Sequence, residues 1–595
     1  MKTVHGIPID LTRDSLFDAN GLLRMRESYM LESESSPQER FAYVSTKFSS
    51  HKAHAQRLYD YASRHWLSYS TPILSFGRSK NGLPISCFLS YIPDTSTGLV
   101  DTLSEVNWLS MLGGGVGIGV GIRSSDDKSV GVIPHLKTYE ACSLAYRQGR
   151  TRRGSYAAYL DISHPDILQF VDIRKPTGDP NSRCMNLHHG INVSDKFMQL
   201  IEKCCTDPGA DDTWELVDPH SVEVVGKVSA KELWQKILET RMMTGEPYLH
   251  FIDTANRALP KHLKDRGLSI KQSNICAEIE LPTDKDRTAV CCLSSLNLDY
   301  YDEWKDNQLF FEDVARMLDN VLTCFIDGAP ASISRASLSA FRERSIGVGA
   351  LGFHSYLQKN GVPFDSFQGL LYSNSIFANI RKRLDAANTL LGSQLGSAPD
   401  YGSPSEEGYQ CKRFSHLMAI APNASTSIIM GNTSPSIEPF RANAYRQDTL
   451  SGAFLNRNRN LEALLSSRLK GEELDDVWSS IISHDGSVQH LDCLSDEEKS
   501  VFKTAIEIDQ RWIVKHAAAR QVHVDQGQSI NLFFLPDCNV KYLHQVHMDA
   551  WKSGLKSLYY CRSEKVGKAD KVARSVERKV IEEIATGVDC VACEG

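Results

Sequence analysis

From about residue 71 to 565, short apolar runs alternate with longer amphipathic segments, and this alternation restricts the folds open to the chain. VGIGVGI, AAYLDI and INLFFLP have the length and composition of strands. KELWQKILETRMM and EDVARMLDNVLTCF carry apolar residues at helical spacing. Strands separated by helices imply an α/β architecture with a parallel sheet. Residues 1–70 read as polar helix, with Leu23, Tyr29, Phe41 and Val44 in helical register. Residues 456–510 are charged and interrupted, and read as a surface insertion. The last thirty residues begin with a charged helical run and end in GVDCVACEG, which is too poor in apolar residues to anchor itself.

The charge balance is 66 basic against 73 acidic side chains, which argues against a nucleic-acid footprint. The most apolar window, Leu109–Ile122, is broken by six glycines, so no membrane span is expected. The N-terminus lacks a basic start followed by an apolar core, and a cytoplasmic protein with reduced thiols is expected. The 15 cysteines are odd in number and irregular in spacing, so most read as small buried hydrophobes. Phosphate-loop, H-E-x-x-H and G-x-S-x-G patterns are absent. GGGVGIGVG at 113–121 is not G-x-G-x-x-G; it reads as a tight turn or as a place where other backbone comes close. Cys590-x-x-Cys593 has no second ligand pair nearby, so it reads as a redox dithiol and not a zinc site.

The most informative segment is SNICAEIELPT, residues 273–283. Read as a strand, it places Asn274, Cys276 and Glu278 on one face and Ile275, Ala277 and Ile279 on the other. An amide, a thiol and a carboxylate in one row suit a reactive site. Ordinary alternation on an edge strand gives the same pattern.

N-x-C-x-E resembles the active-site signature of ribonucleotide reductase catalytic subunits, and further matches follow in order. STPILSFGRSKNGLPISCFLS resembles the strand carrying the first redox cysteine, here Cys87. AVCCLSSLNL resembles the segment with its partner; Cys291 is favoured, and the adjacent Cys292 remains open. APNASTSIIMGNTSPSIEP resembles the substrate-diphosphate loop, and SLYY, ending at Tyr559 and Tyr560, resembles the tyrosine pair of class I enzymes. The resemblance implies a ten-stranded α/β barrel of two five-stranded half-sheets with a central finger loop. It would occupy residues 71–565, after a small helical domain at 1–70 and before a flexible redox tail at 566–595.

It also implies residue roles. Cys276 would carry the thiyl radical that takes the 3′-hydrogen, Glu278 would be the base on the 3′-OH, and Asn274 would position the hydroxyls. Cys87 and Cys291 would reduce the sugar, and Cys590 and Cys593 would renew them with thioredoxin or glutaredoxin. Thr71, Ser86, Gly115, Pro422, Asn423, Ala424, Ser425, Thr426 and Ser427 would bind the substrate. Asp94, Arg123 and Arg183 would bind an effector nucleotide (dNTP or ATP) at the interface of a homodimer. Tyr559 and Tyr560 would relay a radical from the metal cofactor of a separate β subunit, leaving the α chain without a cofactor of its own. An adenosylcobalamin-dependent class II enzyme would not need that relay, and a non-catalytic nucleotide-binding relative would need none of these groups. Because the motifs begin as early as Cys87, an N-terminal ATP cone is not expected.

Overall fold

A computed structural model describes residues 2–79, 82–146, 155–207, 209–403, 405, 409–449 and 452–563. Its centre is a sheet of nine strands among the described residues. Five are parallel and neighbour one another in chain order: β1 (Cys87–Ile92), β2 (Gly115–Val120), β3 (Ser155–Asp161), β4 (His188–Val193) and β5 (Tyr248–Phe251). Helices such as Ser96–Met111 and Val132–Ala145 return the chain between them, as parallel connections require.

The second half begins with β6 (Ala289–Asn297) and β7 (Ile346–Leu351), which are parallel to each other. Extended segments continue it without forming full ladders. Ile346 and Val348 donate to the carbonyls of His416 and Leu417 at 3.1 and 2.8 Å. Ile420 donates to Gly527, Tyr559 to Ile530 and Leu532 to Tyr560, at 3.1, 2.8 and 3.0 Å. The two halves meet antiparallel at both seams: β6 pairs with β1, and Ser557–Leu558 pairs with β5. The ring therefore closes as two groups of five extended segments, the barrel that the motif order implies.

Closure explains the two-sided burial of the strands. Phe88, Val116, Ile118 and Leu249 pack outward under the helices. Cys87, Leu89, Tyr159, Tyr248, Cys291 and Leu293 form a separate inner cluster with Ile275–Ala277, Ile279 and Tyr559–Tyr560. The chain at 271–283 passes through the barrel interior as this inner filling.

Two outer regions depart from the expected reading. Residues 1–70 are not wholly helical. They open with a hairpin of Lys2–Val4 on Ile7–Ile9, whose Ile7 and Ile9 are buried, and they end in Leu67–Tyr69, which pairs with β6. Helices Pro37–Lys47 and Lys52–Ser63 lie between. The charged region 456–510 is more than a surface segment. Helices Arg459–Arg468, Glu472–Ser483 and Asp496–Val501 enclose their own core of Leu461, Leu465, Trp478 and Ile481.

The glycine run at 113–121 is a place of close backbone approach. A Cβ on Gly117 would stand 2.2 Å from the Ser273 carbonyl oxygen and 2.7 Å from Asn274 Cα. Gly117→Ala is expected to lower unfolding stability by about 1–3 kcal/mol, because the obstacle is backbone and cannot swing aside. Gly226→Ala meets only Leu216 at 3.5 Å and serves as the control. Urea midpoints that are equal for the two variants would contradict this account.

Candidate active site

Residues 273–283 are a finger loop and not the strand that the alternation suggests; no ladder forms there, and Ala277 has φ +62°. The alternation is real but comes from another cause. Both faces are buried, with Asn274, Ile275, Cys276, Ala277, Glu278 and Ile279 all at 0 % exposure. A buried loop must pair its backbone polar groups without a neighbouring strand. Asn274 Oδ1 accepts from the backbone N–H of Glu278 at 2.9 Å and of Ile279 at 3.0 Å, closing the turn. Tyr159 donates to the Asn274 carbonyl at 2.6 Å, Ser529 to that of Cys276 at 2.7 Å, and Ser557 to that of Ala277 at 2.5 Å. The Gly527 N–H satisfies the Glu278 carbonyl at 2.8 Å.

The tip brings the expected groups together. Asn274 Nδ2 donates to Cys87 Sγ at 3.1 Å, the Tyr559 hydroxyl to Cys276 Sγ at 3.7 Å, and Ser529 Oγ to Glu278 Oε2 at 3.2 Å. Cys87 and Cys291 are directly opposed across the antiparallel seam. Opposed Cα atoms in such a ladder lie about 4.5 or 5.5 Å apart, and both spacings accept a disulfide. Neither cysteine is in a disulfide here. Cys292 faces the other way, into the outer core, with its Sγ 3.8 Å from the Leu318 carbonyl. Burial pushes the Cys291 thiol well above the ordinary cysteine range, and the neighbouring Cys87 adds to this.

Behind Cys276 stand three tyrosines. The Tyr559 and Tyr560 rings lie 4.2 Å apart, and Tyr248 on β5 lies 4.8 and 5.2 Å from them. Arg562 sits 4.3 Å from the centre of the Tyr560 ring. Burial, helped by the nearby Glu246 carboxylate, raises Tyr560 far above the usual phenol range. Tyr248, Tyr159, Ser529 and Ser557 were not identifiable from sequence, because a lone polar residue in an apolar run carries no signal of its own.

The loop that follows Pro422 borders a cavity of about 430 Å³ lined by Pro422, Ala424, Ser427, Arg441, Tyr559 and Arg562, among others. Residues Ala424–Ile429 form one helical turn and a half after Asn423, which has φ +53°. The first amides of a helix have no intrahelical partner, so this turn can receive an anion. The Asn423 carboxamide is already engaged: its Nδ2 donates to Ser295 Oγ and the Ala350 carbonyl, both at 3.0 Å. Thr426 Oγ1 and Ser427 Oγ bond locally, to Asn423 Oδ1 at 3.3 Å and the Ala424 carbonyl at 2.9 Å. Ser425 lies on the same turn. Ser86 and Gly115 adjoin the Cys87 seam, with the Gly115 N–H on the Ser86 carbonyl at 2.7 Å. Thr71 opens the short helix Thr71–Leu74 and faces the Tyr29 hydroxyl at 3.3 Å.

Asp94 and Arg123 meet at 3.7 Å, with His220 3.4 Å from the same carboxylate. Arg183 is not brought to them. Its guanidinium donates to the Thr177 carbonyl at 2.8 Å within its own turn. Cys590 and Cys593 lie outside the described residues.

Comparison with known proteins matches the ribonucleotide reductase all-alpha domain over residues 15–82, and the ribonucleotide reductase barrel domain over 85–412 and 405–561. The ribonucleoside-diphosphate reductase large subunit of Invertebrate iridescent virus 3 is 51 % identical, covering 99 % of this chain and 100 % of its own. The large subunit of Danio rerio is 30 % identical over 93 % of this chain and 76 % of its own. The solved α subunit of the Actinobacillus ureae class Id ribonucleotide reductase superposes with a TM-score of 0.80 at 35 % identity, covering 92 % and 97 % of the two chains. The chain belongs to the ribonucleotide reductase large-subunit family, a family of oxidoreductases.

Proposed function

We propose that the chain is the α subunit of a class I ribonucleotide reductase, converting ribonucleoside diphosphates to 2′-deoxyribonucleoside diphosphates for DNA synthesis. The observation that carries this reading is the row Tyr560–Tyr559–Cys276, with rings 4.2 Å apart and a hydroxyl 3.7 Å from sulfur. Burial disfavours the phenolate of Tyr560, so losing proton and electron together suits this residue better than prior ionisation. That behaviour suits a relay and has no use in an enzyme that makes its radical in place. The oxidising equivalent would come from the metal cofactor of a separate β subunit.

Oxidised in this way, Cys276 takes the 3′-hydrogen of the ribose. Glu278 accepts the 3′-OH proton, with Ser529 orienting its carboxylate. Cys87 gives a proton to the departing 2′-OH, which leaves as water. Cys291 gives a hydrogen atom to C2′ as the Cys87–Cys291 bond forms, and the remaining electron of the pair passes to the sugar. Glu278 returns its proton to the C3′ oxygen, and Cys276 returns its hydrogen to C3′. Asn274 serves the loop and the thiol together, which fixes the angle at which Cys276 and Cys87 meet one sugar.

The diphosphate would lie on the turn after Pro422, against the amides of Ala424, Ser425 and Thr426, with Thr71, Ser86, Gly115, Asn423 and Ser427 shaping the site. The Asp94–Arg123 pair would hold an effector ribose in a homodimer, and Arg183 would serve the effector only after leaving its present turn. Cys590 and Cys593 would exchange with the Cys87–Cys291 disulfide and be reduced by thioredoxin or glutaredoxin. The setting proposed is the cytoplasm; no helix among the described residues is long and apolar enough to cross a membrane.

The deciding experiment is diphosphate reduction with and without candidate β subunits, across the four effectors. Turnover by the chain alone with adenosylcobalamin would refute the class I reading. Cys276→Ser should remove product formation while nucleotide binding persists; a variant that still turns over would end the radical assignment. Tyr560→Phe should abolish β-dependent activity with an unchanged unfolding transition, and retained activity would exclude the relay. Cys291→Ser should lose multiple turnover, whereas Cys292→Ser, which faces the outer core, should keep it. The reverse result would reassign the redox partner.

A further inference from the structure

The finger is held at its tip by neutral groups, but its outgoing leg is held by an ionisable pair. Glu280, 1 % exposed, places Oε2 2.8 Å from Nε2 of His250, which is fully buried on β5. His250 Nδ1 meets Asn192 Oδ1 at 2.7 Å, and Asn192 stands beside it in register on β4. Asn192 spends its amide hydrogens on Asp161 Oδ1 and on the Lys271 carbonyl, both at 2.8 Å. Its oxygen is therefore left to accept, which makes His250 Nδ1 a donor and turns Nε2 toward the Glu280 carboxyl group. One chain of side chains thus joins both legs of the finger, at Lys271 and at Glu280, to β3, β4 and β5.

The same strand also holds the tyrosines. Tyr248 and His250 are two residues apart on β5, so both point inward. Tyr248 packs 4.8 Å from Tyr559, and His250 grips the finger that carries Cys276. Leu249 and Phe251, between and after them, belong to the outer core and fix the strand against the helices.

We propose that His250 and Glu280 are positioning residues for the reaction: their bond holds the finger at the depth where Cys276 Sγ meets the Tyr559 hydroxyl. Asn192 sets the orientation of the imidazole. The inference rests on the role of Cys276 given above, and the pair itself touches neither substrate nor sulfur. Loss of the bond removes the tie from the outgoing leg to β5, two residues after Glu278, leaving the Gly527 and Thr283 bonds to hold it, while the turn at 424–429 stays in place. Chemistry should slow, and substrate binding should not weaken.

The test is steady-state kinetics of the full chain with saturating partner subunit. Glu280→Ala should lower kcat by about 100-fold, the scale of a misplacement of about 1 Å, with KM changed less than about threefold. Glu280→Gln, which can still hydrogen-bond His250, should recover most of that loss. If Glu280→Ala does not fold, the double variant His250→Leu/Glu280→Leu replaces the pair with apolar groups. It should fold and remain as slow. Wild-type kcat in folded Glu280→Ala or in the double variant would overturn the proposal, as would a loss expressed in KM alone. Activity in Cys276→Ser would instead defeat the radical reading, whatever the Glu280 variants do.

Discussion

The Asn274 carboxamide is the contact on which the rest of the site depends. Its oxygen closes the finger by accepting from Glu278 and Ile279, and its nitrogen reaches Cys87. A loop threaded through a barrel has no ladder to satisfy its backbone, and each unpaired buried group costs about 1–3 kcal/mol. The barrel answers with single side chains, Tyr159 from β3 and Ser529 and Ser557 from the closing segments, each donating to a finger carbonyl. With those carbonyls paired, the remaining polar groups at the tip are the Cys276 thiol, which meets the Tyr559 hydroxyl, and the Glu278 carboxylate, which meets Ser529.

Fitting a loop inside a barrel also requires space, and β2 provides it. The Gly117 and Gly119 positions face Ser273–Asn274 and Gln272, where side chains would collide with the loop. Gln272 in turn donates to the Ser90 carbonyl at 2.9 Å and accepts from Thr283 at 2.9 Å, tying the two legs together where they enter. The glycine run and the finger are therefore one structural device, although about 150 residues separate them in sequence.

Periodicity conveyed the α/β class, because strand-length apolar runs and amphipathic helices differ in repeat. It could not convey the finger, because a buried loop and a strand with alternating residues look alike when both faces are hidden. The motif order located Asn274, Cys276, Glu278, Cys87, Cys291 and the tyrosine pair, and the geometry brings them together. Arg183 keeps to its own turn, on the Thr177 carbonyl, a contact that motif order does not specify. Nor could motif order find Glu280, His250 and Asn192. They are remote in sequence and carry no pattern, and only barrel closure makes them neighbours.

The β1–β6 seam explains why Cys87 and Cys291 are neighbours. Within each half-sheet the strands are parallel and their inward residues crowd a common interior. At the β1–β6 seam the chain directions oppose, and Cys87 and Cys291 face one another with ladder partners beyond them at Phe88–Val290 and Leu89–Ala289. A disulfide can form and break there by rotating two side chains, since the spacing is already right in the reduced state. Asn274 donates to one of these sulfurs with the same carboxamide that shapes the finger. One side chain thus spaces the Cys87 sulfur, which would help reduce the sugar, from the loop that would carry the radical.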